Sequence, residues 1–129
     1  MLALLDTTVL IDHLRGRPAV QRLRQLKGRG DVPGTTAINV EEVYRGLHPQ
    51  EIERALLLFD GLHIHPLGLR EGRIAGEWRQ RFAARGRTLA QADCLIAAAA
   101  HSAGAVLVTG NPKDFPMEEI RIEHWPVGE

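Results

Sequence analysis

The chain opens with Leu2-Ala3-Leu4-Leu5-Asp6-Thr7-Thr8-Val9-Leu10-Ile11-Asp12, and the order of residue types in that stretch decides the fold. Four consecutive apolar residues read as a short strand buried on both faces, the kind that parallel sheets contain. Asp6 follows at once, and Thr7 to Leu14 carries the pattern of a helix that begins where the strand stops. A strand that feeds a helix through one acidic residue sets that acid at the carboxyl edge of a sheet, where open α/β sheets take their ligands.

Outward from that stretch the alternation continues. Pro18 suits the first turn of a helix over residues 18–27, striped by Val20, Leu23 and Leu26 and ended by Gly28 and Gly30. Asp31 to Thr35 carries a weak strand signal interrupted by Pro33-Gly34. Asn39 and Glu42 have the spacing of a capping box, which predicts a helix running to about Leu47. Pro49 opens another, with Ile52, Ala55, Leu56 and Phe59 on one face. His63-Ile64-His65 reads as a brief strand, and a long helix runs from Leu69 to about Ala84, closed by Gly86. Thr88 and Gln91 form a second capping-box pattern before Cys94-Leu95-Ile96 and the alanines 97–100, whose small side chains let a helix lie close to a sheet. Ala105 to Val108 is the clearest strand, and Ile120 to Ile122 reads as a last, edge strand. Strands alternating with helices predict an α/β sandwich around a mostly parallel sheet.

The composition, with 44% hydrophobic and 25% charged residues in 129, is that of an ordinary globular protein, and a single domain over 1–129 is expected. No segment approaches the roughly 18 apolar residues of a membrane span, so the cytoplasm is the expected location. Cys94, the single cysteine, has no disulfide or zinc partner and should pack as a small apolar residue. The formal net charge of zero implies weak global attraction to nucleic acid. The positive charge is nearly all arginine, with only Lys27 and Lys113 as lysines, and it clusters in Arg15–Arg29 and Arg79–Arg87. Taken singly these arginines read as solvated helix faces, and as groups lining a cleft they are candidate phosphate contacts.

Four acids stand apart. Asp6 and Asp114 follow buried strands, Asp114 by six residues, while Glu42 and Asp93 are expected in the first turns of helices, so all four can face one crevice. Crowded carboxylates repel unless a cation neutralises them. Mg²⁺ takes a few such oxygens while keeping several waters. The chemistry such a centre supports is hydrolysis of a phosphodiester by activated water, with no covalent enzyme intermediate. Rival chemistries lack their parts, since no GxSxG elbow, HExxH pair, Walker loop or GxGxxG turn occurs. Structural roles compete for some of these residues: Glu42 as a helix cap, Asp93 as a partner of the helix dipole. Asp12 is expected to be a surface or hydrogen-bonded helix residue, Glu41 a solvated or dimer-facing charge, and His13, His63, His65 and His101 ordinary histidines. Trp78, Phe82 and Phe59 sit at core spacing, whereas Tyr44 and Trp125 could each belong to an interface.

Asp6-Thr7-Thr8-Val9-Leu10-Ile11-Asp12 resembles the opening signature of PIN-domain nucleases, and within them the VapC toxins of bacterial toxin–antitoxin pairs. Glu42-Val43-Tyr44-Arg45-Gly46, Asp93-Cys94-Leu95-Ile96-Ala97-Ala98 and Thr109-Gly110-Asn111-Pro112-Lys113-Asp114-Phe115 are similar to the family's later blocks, in the same order and over nearly the whole chain. The resemblance implies a PIN-like three-layer α/β/α sandwich whose sheet has about four to five strands. It implies an acidic site of Asp6, Glu42, Asp93 and Asp114 that holds Mg²⁺, or Mn²⁺ in its place. Asp6 and Asp93 would be direct ligands, Glu42 and Asp114 would act directly or through water, and Thr7, Thr109 and Asn111 would support them. It further implies a homodimer that cleaves structured RNA such as tRNA or rRNA, leaving a 5′-phosphate. A VapB-like antitoxin would restrain it in a heterotetramer or larger assembly. Gly110, where many relatives carry arginine, and Val43, in place of leucine, depart from the pattern.

Two readings compete with this one. A receiver domain or haloacid-dehalogenase-like phosphatase would need an acidic pair or Asp-x-Asp, but Asp6 is followed by Thr7-Thr8. A binding module would use the acids only to attract a partner's arginines, and metal-assisted hydrolysis of DNA needs no 2′-hydroxyl.

Overall fold

The structure, a computed structural model, describes residues 1–128. Strands β1 (Leu2–Leu5), β2 (Val32–Thr35), β3 (His63–Ile64), β4 (Val106–Thr109) and β5 (Arg121–His124) form one sheet in the order β3-β2-β1-β4-β5. Every neighbouring pair is parallel. The helices are α1 (Thr7–Leu14), α2 (Ala19–Gly28), α3 (Ala37–Arg45), α4 (Ile52–Asp60), α5 (Leu69–Ala83) and α6 (Gln91–Ala103).

Side chains alternate across a strand, so β1 serves two cores at once. Leu4, with Leu107 of β4, packs into the layer that contains Trp78 and Phe82 of α5 and the buried face of α6. Ala3 and Leu5, with Val108, pack into the opposite layer, against Val9, Leu10, Leu23, Leu26, Val43, Ala55 and Leu58. These are the three layers expected. Ala97 to Ala100 are all 0% exposed, so α6 is buried on every side along this run and contributes only methyl groups there to the core it shares with Leu4 and Leu107 of the sheet. Gly104 then ends α6 in the left-handed conformation at φ 62°, where a side chain would be strained. Trp125 is buried in the second core rather than free for an interface, whereas Tyr44 is partly exposed and stacks on Phe59.

Pro33-Gly34 lies inside β2 instead of interrupting it. Val32 N donates to Met1 O, so the alternate nitrogen of Pro33 faces away from β1, on the side where β3 begins to pair only at Gly34. Gly34 is needed there because a Cβ would lie 2.7 Å from His63 O.

Neither expected capping box forms. The box of α3 is Thr36 with Asn39, one turn earlier than expected, which leaves Glu42 in mid-helix rather than in the first turn. Helix α6 starts from Ala90 with no side-chain cap, so Thr88 and Gln91 form no box. In α4 the inward face is Ala55 and Leu58 with Phe59 partly covered, while Ile52 and Leu56 are exposed. Six of its nine residues are apolar, so spacing alone admits more than one buried stripe; the helix is entered through the 3-10 turn Pro49–Glu51. Asp12 is buried and accepts from Ala19 N and Gly128 N, both at 3.0 Å, which makes it a tie between segments. Among the described residues no helix is long and apolar enough to cross a membrane.

The burial of Ala97 to Ala100 has a direct test. Ala98→Leu adds volume where none is free and should lower stability by about 1–3 kcal/mol, read from the midpoint of urea unfolding.

Candidate active site

The parallel register carries Leu5 beside Val108, so Asp6 and Thr109 emerge side by side at the carboxyl edge. Asp6 N donates to Val108 O at 2.8 Å, which fixes the residue at the point where β1 turns into α1. Asp6 occupies the cap position of α1, yet its side chain makes no cap hydrogen bond. Its Oδ2 instead accepts from Thr109 Oγ1 at 2.8 Å and Thr8 Oγ1 at 3.2 Å, and its Oδ1 from Asn39 Nδ2 at 3.5 Å. Burial pushes the Asp6 carboxyl above the ordinary carboxylate range; hydrogen bonds from Thr109, Thr7 and Thr8 oppose that, and the Glu42 charge adds to it.

The other acids hang on the same network. Asn39 Nδ2 also donates to Thr7 Oγ1 at 3.0 Å, and Thr7 Oγ1 donates to Glu42 Oε1 at 2.6 Å. Across the cleft, Asn111 N donates to Thr109 Oγ1 at 3.0 Å and Asn111 Nδ2 to Asp114 Oδ2 at 2.6 Å. Asp93 sits in the first turn of α6, half-buried, and its pKa is pushed up to about 6. Burial is the largest cause, followed by the negative charges of Asp114, Asp6 and Glu42. Asp93 thus lies within electrostatic reach of the other three acids, and Asp6 within reach of Glu42. Thr7, Thr109 and Asn111 each donate a hydrogen bond to one of these acids.

Sequence reasoning missed Asn39 and Thr8. Asn39 is 1% exposed and serves twice, completing the α3 cap and orienting Asp6 and Thr7. The pattern Thr36-x-x-Asn39 was its signal. Thr8 accepts from Gly110 N at 2.9 Å while donating to Asp6, and so joins the start of α1 to the end of β4.

The donor set suits a hard divalent cation. Its side chains offer oxygen only, and among the described residues no arginine, lysine or histidine pairs with any of the four acids. Also among the described residues, no three acidic, imidazole or thiol groups close on a ready-made cage. Mg²⁺, which keeps several of its waters, needs no such cage.

The sequence pattern of the PIN domain matches residues 3–117. The chain belongs to the PIN domain family. Over 116 residues it is 34% identical to the ribonuclease VapC19 of Mycobacterium tuberculosis, covering 88% of this chain and 92% of that protein. It is 27% identical over 127 residues to the tRNA(fMet)-specific endonuclease VapC of Shigella flexneri, covering 95% and 96% of the two chains. Among solved structures it superposes on a chain of VapBC-1 from nontypeable Haemophilus influenzae with a TM-score of 0.82, 26% identity, and coverage of 97% and 98%.

The departure at Gly110 has a local cause in this PIN domain. A Cβ there would lie 2.7 Å from Val127 Cγ1 and 3.2 Å from Trp125 O, so residues 125–127 fill the space a larger side chain would take. Gly110→Arg is expected to displace that segment and lower stability by about 1–3 kcal/mol, measured by urea unfolding. A second expectation concerns Asp93. A carboxyl with a raised folded-state pKa binds its proton more tightly folded than unfolded, so stability falls as pH rises from the ordinary aspartate value of 3.8 through about 6 and then levels off. In chelator, Asp93→Asn should therefore be more stable than the parent at neutral pH, and the gap should close in acid.

Proposed function

We propose that the protein is a metal-dependent endoribonuclease toxin that hydrolyses phosphodiester bonds in structured RNA, tRNA foremost, and that a VapB-like antitoxin restrains it. The observation that carries this is the meeting of Asp6, Glu42, Asp93 and Asp114, without a neutralising cation of the protein's own, at the carboxyl edge of a PIN domain. The names of the relatives, a ribonuclease and a tRNA endonuclease, support RNA as the substrate.

Asp6 and Asp93 would hold Mg²⁺ or Mn²⁺ directly, with Glu42 and Asp114 bound to it or to its waters. When bound, the cation supplies the positive charge that activates water and relieves charge on the phosphoryl oxygens. The remaining work belongs to the side chains. Thr109 and Asn39 keep both oxygens of Asp6 oriented, so a productive geometry is preorganised before substrate arrives. Thr7 holds one oxygen of Glu42 and leaves the other to orient the attacking water and take its proton. Asn111 does the same for Asp114 on the opposite wall.

Solved relatives are VapBC complexes, which supports a homodimeric toxin that joins its antitoxin in a heterotetramer or larger assembly. An apolar groove of about 450 Å³ between α1, α2 and α4 supports a protein partner as well. Leu14, Val20, Leu23, Leu57 and Leu58 line it, and Leu57 is 69% exposed.

The test is cleavage of end-labelled tRNA transcripts by the purified protein with Mg²⁺ or Mn²⁺. Asp6→Asn and Asp93→Asn should each abolish cleavage while the circular dichroism spectrum is kept. Added Mn²⁺ should raise the melting temperature of the parent but not of Asp93→Asn, because a ligand that binds only the folded state stabilises it. Full activity in either variant, or cleavage that survives chelator, would remove the basis for this site.

A further inference from the structure

We propose that Arg87 and Lys113 form the phosphate-binding rim of the site and grip the RNA backbone beside the bond that is cut. This rests on the nuclease reading above and names the residues by which it engages its substrate.

The arginines of residues 79–87 differ in what neutralises them. Arg81 is spent on Glu119, with contacts of 2.8 and 2.9 Å. The Arg85 guanidinium lies over the Phe82 ring, 5.6 Å from its centroid. Arg79 Nε donates to Leu89 O at 3.1 Å, and Arg87 donates through a terminal nitrogen to Lys113 O at 2.8 Å. A backbone carbonyl fixes the position of a guanidinium without cancelling its charge. Among the described residues neither Arg87 nor Lys113 has a carboxylate partner, whereas Arg29, Arg45, Arg73 and Arg81 each do.

Position completes the argument. The Arg87 bond lands on the turn Pro112–Asp114, so the guanidinium is anchored one residue before the Asp114 that Asn111 holds in the cleft. Arg87 also lies in the loop between α5 and α6, which leads into the helix turn bearing Asp93. Arg87 and Lys113 are both exposed, and they lie on the loop that leads into α6 and on the Pro112–Asp114 turn, the segments that bear Asp93 and Asp114. With zero net charge and four clustered acids, the protein repels a polyanion locally and attracts it nowhere globally. Cations already paired with protein carboxylates offset little of that repulsion. Arg87 uses one donor of its fork on Lys113 O and keeps the rest for a phosphate, a geometry that suits guanidinium.

The experiment measures binding of a short fluorescein-labelled single-stranded RNA by anisotropy across a salt series, with Asp93→Asn as the background so that no cleavage intervenes. Arg87→Gln and Lys113→Gln should each weaken binding and make the slope of log Kd against log salt shallower by about 0.7, and the double variant by about 1.4. Arg73→Gln, on an exposed face of α5, should leave the slope unchanged. A merely structural role for Arg87 would lower stability without moving the slope. Unchanged slopes in both variants overturn the proposal. Equal weakening of a polyglutamate peptide and of RNA by Arg87→Gln also overturns it, in favour of an acidic protein partner. In the parent background, Arg87→Gln should raise KM for a tRNA transcript more than it lowers kcat. Failure of the parent to cleave would sink the nuclease reading, while the slopes would still report on Arg87 and Lys113.

Discussion

Asp6 is the residue around which the rest is arranged, because its carboxylate has to be kept in place while buried beside other negative charges. Burial alone favours protonation. The fold opposes this with hydroxyl donors from α1 and β4 and an amide from α3, three elements that meet only because β1 is the central strand. The parallel register, the early end of β4 at Thr109 and the inward-facing cap of α3 all act on that one side chain. Asp93 has no such donors among the described residues, and its pKa is raised to about 6, first by burial and then by the charges of Asp114, Asp6 and Glu42.

Much of this was legible in the sequence because its signals were local. Leu2 to Leu5 followed by Asp6, and Ala105 to Val108 followed by Thr109, state both strand and edge within a few residues. Asp6 could be picked out because it ends such a segment and Asp93 because it begins one, whereas Glu42, expected in a first turn, lies in mid-helix. What stayed hidden depended on tertiary choice. Two readings of the α3 cap fit the sequence, Thr36 with Asn39 or Asn39 with Glu42, and only the demand of Asp6 and Thr7 for an amide donor favours the first. The face of α4 was undecided for a similar reason, since six of its nine positions are apolar. Pro33 looked like a strand breaker until the shortness of β3 made its missing donor harmless. Arginines were the hardest to read, because whether a guanidinium faces a carboxylate or a carbonyl is invisible in a linear pattern.

Asp12 illustrates how closely structural and site acids can lie. It is six residues from Asp6 on the same helix and more deeply buried, yet it accepts from two backbone amides and carries no charge relation to the cleft. The difference lies in the partners. Backbone donors with no neighbouring acid make a carboxylate a fastener, while hydroxyl and amide donors shared among several acids make it part of a site. Gly110 makes the same point for packing, since its missing side chain is explained by the chain segment that fills the space.

The strand order carries a consequence for synthesis on the ribosome. β1 is made first but takes its place between β2 and β4, and β4 is not translated until residues 106–109. Until then the β1–β2–β3 half of the sheet has an open hydrogen-bonding edge, and Asp6 has neither Thr109 nor the later acids beside it. A growing polypeptide therefore lacks the assembled acid cluster through most of its own translation.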